Sequence, residues 1–432
     1  MSLRGTIARA ALLLALPSIV RAQTTDPPTD AAEPTRPETF VVDRQRSPDQ
    51  KLVPRPDNAN LATLQPPAGF FSIPNTSIQL KPGGDVSAVF FVSSKLAPGA
   101  QTGLVTSSIP VPGQAGYATG VQVTASANQT NLSLDFRMAT PFGPLRMLYD
   151  NDFYTSSSSS FVYDLDYLYV QVANLLIGFS DSAFVDPDAW PATLDYAGNS
   201  ADVFKRHVLV QYTWVVFKHQ HSDLFVRFSV EQPGAQIPTA VGNPWNVAPD
   251  GAIAVRLEAV PGHLQLGTVV RAVGEQNVNS GAGQIVCAWG LSLSGALNLW
   301  AGDILTAGVA GGQGLAAYFH DAGSPPVDAA LNGSGQLTAV PILGTFVGYT
   351  HQWTQQWSST ASYGLLLTDT SAVSTSLGPN GYSRAQYASL NVVYRPWKPL
   401  LIGIEGLWGY QRVVSGGSGD LWRMQTNLQF TF

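Results

Sequence analysis

The sequence predicts an all-β fold, a transmembrane antiparallel β-barrel of about 16 strands. Three observations predict it. First, only 12% of the 432 residues are charged and 45% are hydrophobic, yet no window offers the ~18 consecutive apolar residues of a spanning helix. Second, residues 421–432 alternate strictly. Trp422, Met424, Thr426, Leu428, Phe430 and Phe432 form one set; Arg423, Gln425, Asn427, Gln429 and Thr431 form the other. Successive side chains of a strand point to opposite faces. One face therefore suits lipid and the other a wet interior. Third, short links alternate with long ones along the chain, as short turns at one rim and long loops at the other require.

The elements follow in order. Residues 1–22 read as a secretory signal: Arg4 and Arg9, an apolar run over 10–20, then Val20-Arg21-Ala22 before a cut at Gln23. No Cys follows, so no lipid anchor is expected there. Residues 23–74 are rich in Pro, Thr and Asp. Such a segment cannot bury a core and is predicted to be a disordered, extended periplasmic arm. The barrel spans 75–432. Its predicted strands are 78–92, one starting within 117–131 and ending near 139, 144–153, 161–172, 174–183, 205–214, 223–231 and 251–259. The rest are 262–271, 285–298, 303–312, 337–353, 357–366, 382–395, 400–412 and 421–432. Links at 140–143, 173, 260–261, 299–302, 354–356 and 396–399 are short, and 215–222 is grouped with them. Those at 93–116, 184–204, 232–250, 272–284, 313–336 and 367–381 are long. This parity puts both barrel ends at the periplasmic rim. Trp214, Trp300, Trp353, Trp357 and Trp397 lie beside short links and form the expected periplasmic girdle. Trp408, Tyr410 and Trp422 suit the outer one.

Several signals are bland. The single Cys287 cannot form an internal disulfide and sits on the apolar phase of a strand. The net charge of −6 argues against nucleic acid as a partner. His219-Gln220-His221 lacks further metal ligands. Gly311-Gly312-Gln313-Gly314 opens no helix and is not a phosphate loop. The serines at 156–160 have no G-x-S-x-G context. No cofactor, metal or catalytic set is expected.

The strand phases nominate lumen charges. Arg137 opposes Leu134, Phe136 and Met138, and Arg146 opposes Leu145 and Met147. Arg227, Arg256, Arg271 and Arg423 each take the polar phase. A lipid-facing Arg at the midplane costs ~2–4 kcal/mol, so these should point inward. Asp135, Asp150, Asp152, Asp164, Asp166, Glu231, Glu258 and Glu405 share the interior, and Asp181, Asp186, Asp188 and Asp195 belong to the loop region. The expected eyelet is a basic ladder, Arg137, Arg146, Arg227 and Arg256, facing an acidic loop. Small polar-phase residues (Ala252, Ala254, Gly267, Ser292, Ser294, Gly403, Gly409) suggest an open bore.

One stretch, 131–214, resembles the DcaP-like outer-membrane porins. The matching elements are Asp135, Arg137, Thr140, Pro141 and Gly143, then Leu145, Arg146, Asp152 and Phe153. Asn174-Leu175-Leu176 with Gly178 follows, then Phe184, Asp186, Pro191, Thr193, Leu194, Asp195 and Gly198. The chain departs from the family at 161–167, where an Arg-rich strand is replaced, and at 178–181. The resemblance implies a homotrimer of bacterial outer-membrane barrels passing small hydrophilic solutes, anionic dicarboxylates among them. It also implies that the loop over 184–204 folds inward and narrows the pore. A terminal Phe430-x-Phe432 is similar to the signal that barrel-assembly machinery reads, and lipid and lipopolysaccharide are the expected surroundings. Two other classes stay open: a barrel enzyme (lipase or protease), which hydrolysis would reveal, and a structural or adhesin barrel, whose filled lumen would not conduct.

Overall fold

Strands of alternating phase are soluble in a bilayer only if their edges pair, because lipid offers no partner to a backbone N–H or C=O. The chain meets this demand by closing on itself. The computed structural model describes residues 69–238, 241–277, 280–323 and 326–432. The signal and nearly all of the Pro-rich segment lie outside the described residues. Sixteen strands close the barrel: β1 Gln79–Ser93, β2 Asn131–Thr140, β3 Gly143–Asp152, β4 Asp164–Val172, β5 Leu175–Asp181, β6 Arg206–Lys218, β7 Ser222–Glu231, β8 Asp250–Ala259, β9 Gly262–Gln276, β10 Gly283–Asn298, β11 Ile304–Gln313, β12 Pro341–Gln352, β13 Trp357–Thr368, β14 Tyr382–Trp397, β15 Leu400–Val413 and β16 Ser418–Thr431. Each pairs antiparallel with its sequence neighbour.

The seam lies at β1. Its residues Asp85–Ser93 pair with β16, and Gln79–Asp85 pair with β2. The terminal Phe432 completes it: its N–H donates to Gly84 O (3.0 Å), and Gly84 N–H donates back to Phe432 O (3.3 Å). Gly84 has φ +151° and its missing Cβ would collide with Asn131 O, so only glycine fits this crossing of three strands. Above the seam, Gln122–Ser126 extends β2 along β1 after a short break.

The phase holds as the sequence predicts. In β16, Trp422, Met424, Leu428 and Phe430 are exposed on the outside, while Arg423, Gln425, Asn427 and Gln429 are buried inside. Trp214, Trp300, Trp353, Trp357 and Trp397 are exposed at the short-turn rim. Cys287 points outward between Ile285 and Trp289.

Several boundaries differ, four of them with a consequence for the fold. β9 runs to Gln276, beyond the predicted 271, because Asn243–Asn246 adds a second partner beside its end. β6 runs to Lys218, which shrinks the 215–222 link to three residues, 219–221. β4 starts at Asp164, not 161. The predicted strand at 337–353 is two elements. Leu337–Ala339 pairs with Ala329–Leu331 in a separate hairpin, and β12 begins at Pro341. Pro341 lacks the N–H that a continuous strand would need.

Candidate permeation site inside the barrel

The interior is not empty. Three long loops turn inward and bury apolar side chains against the wall. From the loop at 182–205, Phe184, Val185, Trp190 and Val203 pack on Ala252, Val269, Ala310, Ile342 and Phe346. Leu315, Tyr318 and Phe319, from the loop at 314–340, join the same cluster. Leu104 and Ile109, from the loop at 94–121, pack on Tyr387, Leu407 and Leu421.

The small polar-phase residues are the seats of these loops. This corrects the expectation that they leave the bore open. A Cβ at Gly403 would lie 2.5 Å from Leu194, and one at Gly409 would lie 2.8 Å from Ile109. Gly348 is seated under Pro191 and Gly364 under Asn199 in the same way. Ser294 Oγ donates to Asp186 (2.7 Å).

Buried carboxylates fasten the loops. Backbone N–H groups left over at turns need acceptors once water is excluded. Asp195 accepts from Leu104 N–H (3.1 Å), joining two loops. Asp321 accepts from Thr106 Oγ1 (2.6 Å) and Ser107 N–H (2.9 Å). Asp328 accepts from Gln236 N–H and Ala317 N–H (3.0 Å each) and pairs with Arg271 (3.0 Å). Glu405 accepts from Leu194 N–H (2.9 Å), and Glu231 from Ala183 N–H (3.0 Å) and Ser182 Oγ (2.9 Å). Burial pushes Asp321 up to about 6, against the pull of its Ser107 and Thr106 donors. Burial also raises Asp186, but Arg256, His263 and Ser294 outweigh it and hold the group well below the usual carboxylate range. Burial and then Arg206 push His320 down to about 4.

The nominated charges fall into four groups. On β2 and β3, Arg137 and Arg146 both pair with Asp135 (2.9 Å each). Five to six strands on, Arg256 holds Asp186 (2.6 Å), Asp188 (2.7 Å) and Glu258. Arg256 thus belongs to the acidic side, as the anchor of the loop. Arg227 donates to Gln265 Oε1, and among the described residues no carboxylate lies within ion-pair distance of it. At the long-loop end, Asp166 and Asp181 share Arg206, Asp152 accepts from Tyr196 OH, and Asp164 lies nearby. Asp195 stands apart as a loop brace. Water reaches the first two groups: side-chain exposure is 25% at Arg137, 16% at Arg146, 18% at Asp188 and 20% at Glu258.

Sequence reading missed Arg206, Tyr318 and Asp321. Arg206 lies on the apolar phase by count and turns inward only at the strand's first residue. Tyr318 and Asp321 sit in a loop whose inward fold has no periodic signal.

The sequence profile of the DcaP outer membrane protein family matches residues 98–432. Among curated proteins none matches in sequence. The fold is similar to that of the outer membrane channel DcaP of Acinetobacter baumannii, with TM-score 0.71 and 18% identity over 84% of this chain and 99% of that one. It is also similar to an anion-selective porin from Comamonas acidovorans, with TM-score 0.53 and 11% identity over 82% of this chain and 100% of that one.

Proposed function

This chain belongs to the DcaP outer membrane protein family, and from that premise we propose that it is a passive porin for small hydrophilic solutes, small carboxylate anions among them. It catalyses no chemical step. Permeability follows from bore width and lining charge. The short-turn rim and the N-terminal arm face the periplasm, the long loops face outward, and three copies assemble side by side.

One observation carries the reading. Two water-accessible guanidiniums meet at Asp135 on β2 and β3, while Asp186, Asp188 and Glu258 meet at Arg256 five to six strands on. The first wall is rich in guanidinium and the second rich in carboxylate. A solute between them meets a transverse field that orients its dipole. The loop at 182–205 occupies the rest of the section and sets the width. Arg227, with no acid of its own, adds positive potential on the path.

The test is the zero-current potential of the refolded protein in a planar bilayer under a salt gradient. We expect open-channel current with anion preference, and a shift toward cations in Arg137→Glu/Arg146→Glu. An unchanged preference in that variant would remove the eyelet from the proposal. Well-folded protein without conductance would remove the porin itself and return the enzyme and adhesin readings.

A further inference from the structure

On the outer face near the long-loop rim, two arginines stand directly opposite each other. Arg384 of β14 pairs with Arg412 of β15, and both lie on the outward phase, since Ala385, Gln411 and Val413 beside them are buried inside. Opposed residues hold their Cβ atoms about 4.5–5.5 Å apart, and like charges there repel. Among the described residues neither guanidinium has a carboxylate at ion-pair distance, and Arg384 Nε is buried without a partner. An anion bridging the pair would relieve that repulsion, and guanidiniums bind phosphate in fork geometry.

Below the arginines the surface changes in a set order. Trp408 lies beside Tyr410 (6.2 Å between centroids) and Trp422 (6.1 Å), forming the interfacial girdle. Below these, Ala388 and Gly406 floor a groove of about 650 Å³ walled by Leu390, Met424, Trp408 and Trp422. No atom lies within 4 Å of where a Gly406 Cβ would stand. Arg412 is six residues up β15 from Gly406, about 20 Å along the strand. At a tilt of 35–45° the rise is about 15 Å, which puts the arginines at headgroup level above the aromatic girdle and the groove just below it.

We propose that this face binds one molecule of lipid A, with its phosphate across Arg384 and Arg412 and an acyl chain in the groove. The spacing fits a phosphate at the interface and a chain lying straight beneath it. Lipid A is the occupant because the long-loop rim faces the outer leaflet, where phosphorylated multi-chain lipid is the solvent. That clause rests on the orientation proposed above. The residues point away from the lumen, so conductance reports on the porin reading separately.

The test is native mass spectrometry of the folded, delipidated full barrel with bis-phosphorylated lipid A. Wild type should retain one molecule per barrel. Arg384→Gln/Arg412→Gln should lose at least tenfold in retention, and Gly406→Leu should lose a similar amount by filling the groove. Heat-modifiable migration and channel conductance should match wild type in both. Dephosphorylated lipid A should bind wild type as weakly as lipid A binds the double variant. Equal retention in the double variant would overturn the proposal, as would equal displacement by phosphatidylglycerol. Cross-linking between copies through Leu390→Cys, in a Cys287→Ser background, would also overturn it by making this face a subunit contact.

Discussion

Asp186 holds the loop to the wall through three contacts at once: Arg256 (2.6 Å), His263 (3.1 Å) and Ser294 (2.7 Å). Removing it leaves Arg256 with Asp188 and Glu258, and takes the carboxylate from His263 and Ser294. A buried donor left without its acceptor costs roughly 1–3 kcal/mol, so Asp186→Ala should lower the unfolding midpoint and raise single-channel noise as the loop loosens. His320 gives the pH test. Its folded value is depressed to about 4 from an ordinary 6.5, so the fold prefers the neutral ring. That contribution is present above pH 6.5 and lost as pH falls through 4. Asp321, raised to about 6, acts with the opposite sign. Its contribution is full below about 4, and it is lost as pH rises through 6. Amide protection factors in the 314–340 loop, corrected for the intrinsic pH dependence of exchange, should therefore fall on acidification between pH 6.5 and 4 less in His320→Asn than in wild type. An identical fall in both would show that His320 plays no part.

At the scale of the element, glycine content has a different meaning from the one composition suggests. Inward-facing glycines on β12, β13 and β15 are sites of close approach, where a loop backbone or side chain occupies the space of a Cβ. Gly403→Leu should push Leu194 off β15, detach the tip of the 182–205 loop and raise conductance severalfold. Unaltered conductance with intact folding would mean that the loop does not border the path. β4 supplies a second lesson. Asp166 and Tyr167 both face inward because a bulge lies opposite Asp150 and Asn151. Below it Leu168 and Val170 face lipid. A one-residue slip exchanges the faces of a whole strand, so the bulge lets Asp166 meet Arg206 without turning Leu168 inward.

For the whole molecule, Phe432 extends the closing seam beyond the paired residues of β1 and β16. Phe432 bonds Gly84 in both directions, and its ring stands exposed at the short-turn rim beside Phe430. Deleting Phe432 should slow barrel closure, read as a delayed heat-modifiable band during refolding, and should reduce membrane yield in cells if the pair is an assembly signal. A normal rate and yield would remove both roles. Closure also determines how the loops fold. The wall buries their apolar residues only after β1 has joined β16, so the loop clusters should gain exchange protection after the strands.

The sequence by itself determined the strand number, the inside and outside phases, the rim at which the tryptophans gather and the parity of the links. All of these follow from local periodicity, because lipid and water read each side chain separately. Inward pointing of Arg137, Arg146, Arg256 and Asp135 was legible for the same reason. Only the tertiary structure decided which charges pair, that Arg256 sides with the loop's acids, and that small residues seat loops instead of widening the bore. Those outcomes depend on contacts between residues far apart in sequence, 302 positions for Gln411 and Ile109, and such separations leave no period in the chain. The opposed Arg384 and Arg412 belong to the same class, since cross-strand register is fixed by turn lengths and bulges and not by the composition of either strand.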